Sequence, residues 1–432
     1  MDIQQTASKI KIVFLYILGF VLFLLVLGVM SIRYVIIGGE KYDKSARTLV
    51  ISDSNIVKDD YSVLNEFTQL EKLDISALNV TVEEYDSIAS KMGDNITIRW
   101  NVPIGNSKVP SDSESLSITD EMLDDEKDIL SYFHNLKQLE ANDISSIERL
   151  YEVIHKVKEI NPDVSCTYST NLYGVPIDTS CEEVNLNNIP IKKTDKVKMA
   201  VELFPNVKKY KMCDCGLTDD EMAQLRNEYP EIDFVWMLHV LIYDIPTDVQ
   251  VFSTLLANWV AYGDENTFAP IFKYCTDLRA LDLGHWDHIG DISEIRNLKN
   301  LEILIISDNS ISDLTPLSEL KHLKYADLRY NQITDVTPLT SLQELQFLEI
   351  GGNKLTNAEK LCECKSLKYL YIEDAVVPTK TIEALQKGLP DGCEFKMKNT
   401  RGHRWYIRII GMFRKWKKVK VYHDWENVEY YD

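Results

Sequence analysis

From Ala280 to Glu373, aromatic and charged residues return at a spacing of 22, after one first step of 23. One series reads Ala280, Ile303, Tyr325, Phe347 and Tyr369, and a second reads Asp282, Ile305, Asp327, Glu349 and Tyr371. A third reads Gly284, Ser307, Arg329, Gly351 and Glu373. On β-strands, residues two apart point to one face, so the series predict columns of exposed side chains side by side. Aromatic rings supply contact area and carboxylates select charge. Tyr325, Phe347, Tyr369, Tyr371, Asp282, Asp327, Glu349 and Arg329 are therefore the candidate binding residues. The competing reading is cross-strand pairing that only stabilises a sheet.

Signals for catalysis are absent. The sequence holds no G-x-S-x-G elbow, no H-E-x-x-H, no P-loop and no G-x-G-x-x-G. Metal candidates are confined to His285 with His288 and to the pairs Cys213/Cys215 and Cys362/Cys364, which offer no four-ligand set. The acidic run from Asp112 to Asp128 lacks the alternating Asp and Gly of a calcium loop. Eight cysteines in 432 residues are too few for a disulfide scaffold and leave the redox compartment open. The expectation is a chain that is not an enzyme and carries no cofactor and no metal. A net charge of -20 argues against nucleic acid, because phosphate binding needs clustered Lys and Arg.

The elements that would position the columns are set by leucines. Leu301, Leu323, Leu345 and Leu367 recur at a period of 22, the signature of stacked coils. The units LEILIISDN, LKYADLRYN and LQFLEIGGN each alternate apolar residues as a strand requires, then place Asn309, Asn331 or Asn353 at a turn. An Asn side chain both donates and accepts, so stacked coils would build a ladder of hydrogen bonds inside the bend. SDLTPL (Ser312 to Leu317) and TDVTPL (Thr334 to Leu339) follow, with an Asp to cap and a Pro to start a short helical turn. Here the chain resembles the leucine-rich repeats of the internalin-like, 22-residue class on Gram-positive bacterial surfaces. Two departures are the missing proline in NAEKL (Asn357 to Leu361) and Trp286 where an Asn belongs. The resemblance implies that the face carrying the columns is concave and engages partners.

Upstream a longer period appears at Phe67, Phe133, Phe204 and Tyr274, with steps of 66, 71 and 70. Between markers come a helical stretch (VEEYDSIASKM, IERLYEVIHKV, DDEMAQLRNEY), a β-rich stretch (ITIRWNV, VSCTYST, IDFVWML) and a further strand (ESLSIT, CEEVNL, DVQVFS). TLVISD at Thr48 to Asp53 fits that last slot. Each unit reads as a degenerate double coil, and the pattern resembles large repeat-bearing surface proteins of Firmicutes in which such units precede orthodox repeats. The fold class expected is an α/β solenoid, a leucine-rich repeat horseshoe or arc behind an N-terminal transmembrane helix. Degenerate repeats would occupy residues 47–274, regular repeats 275–376 and a helix-then-strand capping unit 377–400.

Residues 12–32 carry no charge, and 21 helical residues span ~30 Å of hydrocarbon. They read as a transmembrane signal-anchor between a short cytoplasmic tail, 1–11, and a juxtamembrane linker, 33–46. Lys9 and Lys11 precede the span, and Arg33, Lys41, Lys44 and Arg47 follow it. Long domains translocate regardless of such counts, so the body is expected outside the cell. The end of the chain, 401–432, is basic and aromatic, with eight Lys or Arg and no acid from Arg401 to Lys420 among Trp405, Tyr406, Phe413 and Trp416. It suits an anionic wall polymer, a lipid head group or the acidic body of the same chain. The functional expectation is a surface protein that binds a protein or glycan. The alternatives are a structural envelope protein that adheres by its tail, and a cytoplasm-facing scaffold if the orientation is reversed.

Overall fold

The computed structural model describes residues 15–26, 28, 33–37, 39–52, 61–93, 95–123, 129–240, 243–254, 268–284 and 288–397. The chain forms two units, residues 1–181 with 193–206, and residues 182–192 with 207–432.

In the first unit residues 15–26 are helical, and their apolar side chains, Leu15 to Val26, are exposed. Among the described residues no helix is long and apolar enough to cross a membrane. Of the transmembrane helix expected over 12–32, residues 15–26 and 28 are helical, and 12–14, 27 and 29–32 lie outside the described residues, so a membrane-spanning length is not supported among them. The expected linker holds an antiparallel hairpin, Tyr34–Ile37 against Glu40–Asp43, where Gly39 supplies a turn at φ 89°.

Strands Thr48–Val50, Lys72–Asp74 and Thr97–Arg99 then form a parallel sheet. Ser115–Ile118, Gln138–Ile144 and Ser165–Leu172 form a second, edged by the antiparallel Val175–Asp178. Helices Val82–Met92 and Ile147–Ile160 connect the later strands of each set. The first helix starts in a capping box, where Glu84 N donates to Thr81 Oγ1 at 3.3 Å and Thr81 N donates to Glu84 Oε2 at 2.8 Å. The second buries Ile147, Leu150, Val153, Ile154 and Val157, a stripe at helical spacing that faces the core. Each β-rich stretch supplies a parallel strand, Thr97–Arg99 or Ser165–Leu172, and runs on into a hairpin, Asn101–Ile104 with Ser107–Pro110 or Ser165–Leu172 with Val175–Asp178 through the turn at Tyr173–Gly174.

In the second unit Glu183–Asn185, Lys209–Lys211 and Asp233–Val235 are parallel, and Met237–Val240 pairs with Tyr243–Pro246. Seven parallel strands follow in sequence order: Val251–Ser253, Ala280–Asp282, Ile303–Ile305, Tyr325–Asp327, Phe347–Glu349, Tyr369–Tyr371 and Glu394–Lys396. Leu281, Leu304, Ala326, Leu348 and Leu370 face the core, where Leu301, Leu323, Leu317 and Leu339 also lie buried. Each buried leucine contributes roughly 2 kcal/mol of transfer free energy. The short helical turns are 3-10 segments, Thr315–Glu319 and Thr337–Ser341 among them. Five residues are too few for a stable α-helix. Asp313 and Asp335 accept from the amides of Thr315 and Thr337, each at 2.8 Å.

The Asn ladder forms as the spacing requires. Asn309, Asn331 and Asn353 accept from the amides of Ile289, Ile311 and Ile333 in the preceding coil at 3.2, 3.0 and 3.0 Å. Their amide groups donate to Leu283 O, Ile306 O and Leu328 O at 2.9, 2.9 and 3.0 Å. The residue before each Asn is left-handed: Asp308 at φ 52°, Tyr330 at 50° and Gly352 at 68°. Helix Thr379–Gly388 and strand Glu394–Lys396 complete the sheet within 377–400.

Candidate functional site

The strand register aligns the columns. Ala280, Ile303, Tyr325, Phe347 and Tyr369 are successive partners, as are Asp282, Ile305, Asp327, Glu349 and Tyr371. Val251 and Ser253 extend the two columns at one end, Glu394 and Lys396 at the other. Exposure differs from expectation. Asp327 has 0% of its surface exposed and Arg329 9%, and Tyr325, Tyr371, Asp282 and Glu349 are buried too; Phe347 and Tyr369 are half-buried. Alternation decides which face a side chain takes but not what lies over it.

Asp327 and Arg329 stand two apart on one face, and the guanidinium clasps the carboxylate. Arg329 Nε donates to Asp327 Oδ1 at 2.9 Å and Nη2 donates to Oδ2 at 2.7 Å, a two-pronged contact. The same Nε lies 3.2 Å from Glu349 Oε2, and Tyr325 Oη donates to Glu349 Oε1 at 3.1 Å. Burial, then the charges of Asp327 and Glu349, hold the Tyr325 hydroxyl well above its usual range, so it stays a donor. Burial would lower the Arg329 guanidinium, but the hydrogen bond and charge of Asp327 raise it. Asp282 accepts from Ser253 Oγ at 2.9 Å and from Gly284 N at 3.1 Å.

Beside this polar network, Val251, Ala280, Ile303, Ile305 and Tyr325 form an apolar cluster, with Phe347 packed against it. The Tyr325 and Phe347 rings are 6.4 Å apart, and Lys396 Nζ sits 5.6 Å from the Tyr369 ring. Three aromatic rings thus stand in a row beside carboxylates fixed by hydrogen bonds, and Phe347 and Tyr369 are the partly accessible ones.

Sequence reasoning missed a rail at the start of the strands. Glu302 accepts from Arg279 Nη2 at 2.6 Å and from Lys324 Nζ at 2.9 Å, which holds its carboxyl below the usual range despite burial. The cleft between Gln250, Arg279, Glu302, His322 and Lys324 has a volume of about 350 Å³. Arg279, Glu302 and Lys324 share the strand period, and that recurrence was the available signal. Among the described residues no cluster of His, Cys, Asp and Glu could hold a metal. His285 and Trp286 lie outside the described residues, as does the tail 401–432. The eight cysteines are free thiols, and burial pushes that of Cys364 up to about 11.

Residues 299–341, two coils of this sheet, match the family model "Leucine Rich repeats (2 copies)". This stretch of the chain carries leucine-rich repeats. No curated protein matches it. Among solved structures it is similar to an internalin of Listeria monocytogenes, 18% identical over 84% of this chain and 86% of that one, with a TM-score of 0.28. It is also similar to a leucine-rich repeat protein of Leptospira interrogans, 15% identical over 82% and 96%, TM-score 0.28. The Arabidopsis receptor kinase HAESA, in complex with the peptide hormone IDA and the co-receptor SERK1, is 12% identical over 77% and 38%, TM-score 0.23.

Proposed function

We propose that this leucine-rich repeat protein is a non-enzymatic binding protein, held in the cell membrane by residues 12–32, whose repeats stand outside the cell and take a protein or glycan on the column face. The observation that carries the reading is the register-locked row of Tyr325, Phe347 and Tyr369 beside Asp282, Asp327 and Glu349. Half-buried Phe347 and Tyr369 are the rings that meet the partner. Tyr371, Arg329 and the carboxylates form the platform that fixes them and sets its charge. The uncharged run around the helical residues 15–26, whose apolar side chains are exposed, supports the anchor.

Two experiments test the two halves. Phe347→Ala with Tyr369→Ala should remove capture of surface proteins or wall glycans while leaving thermal unfolding nearly unchanged; undiminished capture sinks the binding role. For the anchor, native cysteines are replaced, one is added near Asp432, and intact cells meet a membrane-impermeant maleimide. Labelling is the expected result, and labelling only after lysis reverses the orientation.

A further inference from the structure

We propose that the basic, aromatic tail of this chain, residues 401–420, docks on the column face of its own repeats and competes there with the outside partner. The inference rests on the binding role proposed for that face and assigns its regulation.

Burial is the first observation. Ile303, Ile305, Tyr325, Asp327 and Glu349 point away from the leucine core, yet they are almost as inaccessible as the leucines. A side chain on an open sheet face has neighbours beside it but none above, so a tyrosine ring standing on such a face keeps its outer edge in water. Tyr325 is only 6% exposed. Ser307, in the third column, is fully buried, and its hydroxyl finds no partner among the described residues. These are features of a face built to be covered.

Chain length and charge choose the occupant. The described chain leaves the sheet at Lys396, on the last of the seven strands. With neighbouring strands ~4.8 Å apart, the strand Tyr325–Asp327 lies three strands and ~14 Å away, and Ala280–Asp282 five strands and ~24 Å away. Twenty residues reach ~30 Å as a helix and over ~60 Å extended, so the whole face is within range. The columns with their extensions carry Asp282, Asp327, Glu349, Glu373 and Glu394 against Arg329 and Lys396, whereas residues 401–420 carry eight Lys or Arg and no acid. Trp405, Phe413 and Trp416 match in kind the half-buried Phe347 and the apolar cluster of Ile303 and Ile305 it packs against. A tether this short also raises the local concentration of the tail at the face to about millimolar, so a weak contact suffices to occupy it.

The test uses the purified full chain with no ligand and p-benzoylphenylalanine in place of Trp416. Light should join position 416 to peptides spanning residues 303–371 of the same chain. Lys415→Glu with Lys417→Glu and Lys418→Glu should cut that yield about tenfold, because the same contacts become repulsive. Adducts between copies, adducts on residues 255–267, adducts spread over the surface, or a yield indifferent to the charge reversal would each overturn the proposal. Capture of an outside partner by Phe347 and Tyr369 without the internal adduct removes the tail proposal alone. The internal adduct with no partner captured removes the binding reading alone.

Discussion

Asn331→Ala measures how much the inner ladder holds adjacent coils together. The side chain accepts from Ile311 N at 3.0 Å and donates to Ile306 O at 2.9 Å, with longer bonds to Leu328 O and Arg329 O at 3.2 and 3.1 Å. Truncation strands one amide and one carbonyl from the neighbouring coil in an apolar bend, and each buried group left unsatisfied costs about 1–3 kcal/mol. One water entering the vacated space would recover part of this, which brings the expected loss to about 3 kcal/mol. Asn331→Asp keeps the acceptor for Ile311 but points a carboxylate oxygen at Ile306 O, so at neutral pH it should cost more than alanine. Its deficit should shrink as the pH falls and the new acid takes up a proton. The assay is urea unfolding of the full chain, with amide exchange at Ile311 as a local reading and Gln332→Ala, at an exposed position, as the control. A loss under about 1 kcal/mol for alanine, or an aspartate no worse than alanine at neutral pH, would refute the ladder as a stabilising element.

Three further predictions follow from single contacts. A Cβ on Gly351 would sit 2.2 Å from Glu373 O, which is backbone and cannot swing aside, so Gly351→Ala should cost at least about 3 kcal/mol. Gly284→Ala, whose new methyl meets side-chain atoms at 3.2 Å or beyond, should cost under about 1 kcal/mol in the same urea unfolding. Arg329→Met takes the two-pronged partner from fully buried Asp327 and should destabilise by about 3–5 kcal/mol in urea, with Arg329→Lys only a partial rescue. His239 lies between Asp244 at 2.7 Å and Asp214 at 2.8 Å; the hydrogen bond to Asp244 leads the terms that raise its pKa, followed by opposing burial. Its stabilisation is therefore fully present below the unfolded value of about 6.5 and is lost as pH rises through the higher folded value. Unfolding of the wild type against His239→Gln across pH 5 to 9, a range of about four units around that value, should show the difference shrinking upward, and a growing difference contradicts the assignment.

The regular repeats were legible because one small set of residues carries the period. The leucines fix the core, the asparagines fix the turn, and a constant spacing fixes the register, so Tyr325, Phe347 and Tyr369 aligned as the sequence required. Coverage of the face was not legible, since a period of two assigns sides and says nothing of depth. The Asp327–Arg329 clasp was within reach: two opposite charges two residues apart on a strand share a face. The upstream pattern predicts alternating strand and helix, and helices Val82–Met92 and Ile147–Ile160 lie in its helical stretches. Their β-rich stretches each give a parallel strand and then turn back as a hairpin. Gly105 at φ 52° and Gly174 at φ 87° make those turns, and a lone glycine in a β-rich stretch does not by itself distinguish a hairpin from a bulge. Tyr330 at φ 50° had no signal, because a bulky residue is left-handed only where its coil compels it.

The most direct test of the binding face places p-benzoylphenylalanine at Tyr369, and separately at Glu319 on an outer 3-10 turn, in the full chain on intact cells. The account predicts that light joins position 369 to an outside protein or glycan, with little or no such adduct at 319. Equal labelling at the two positions, or an outside adduct at 319 alone, would contradict it.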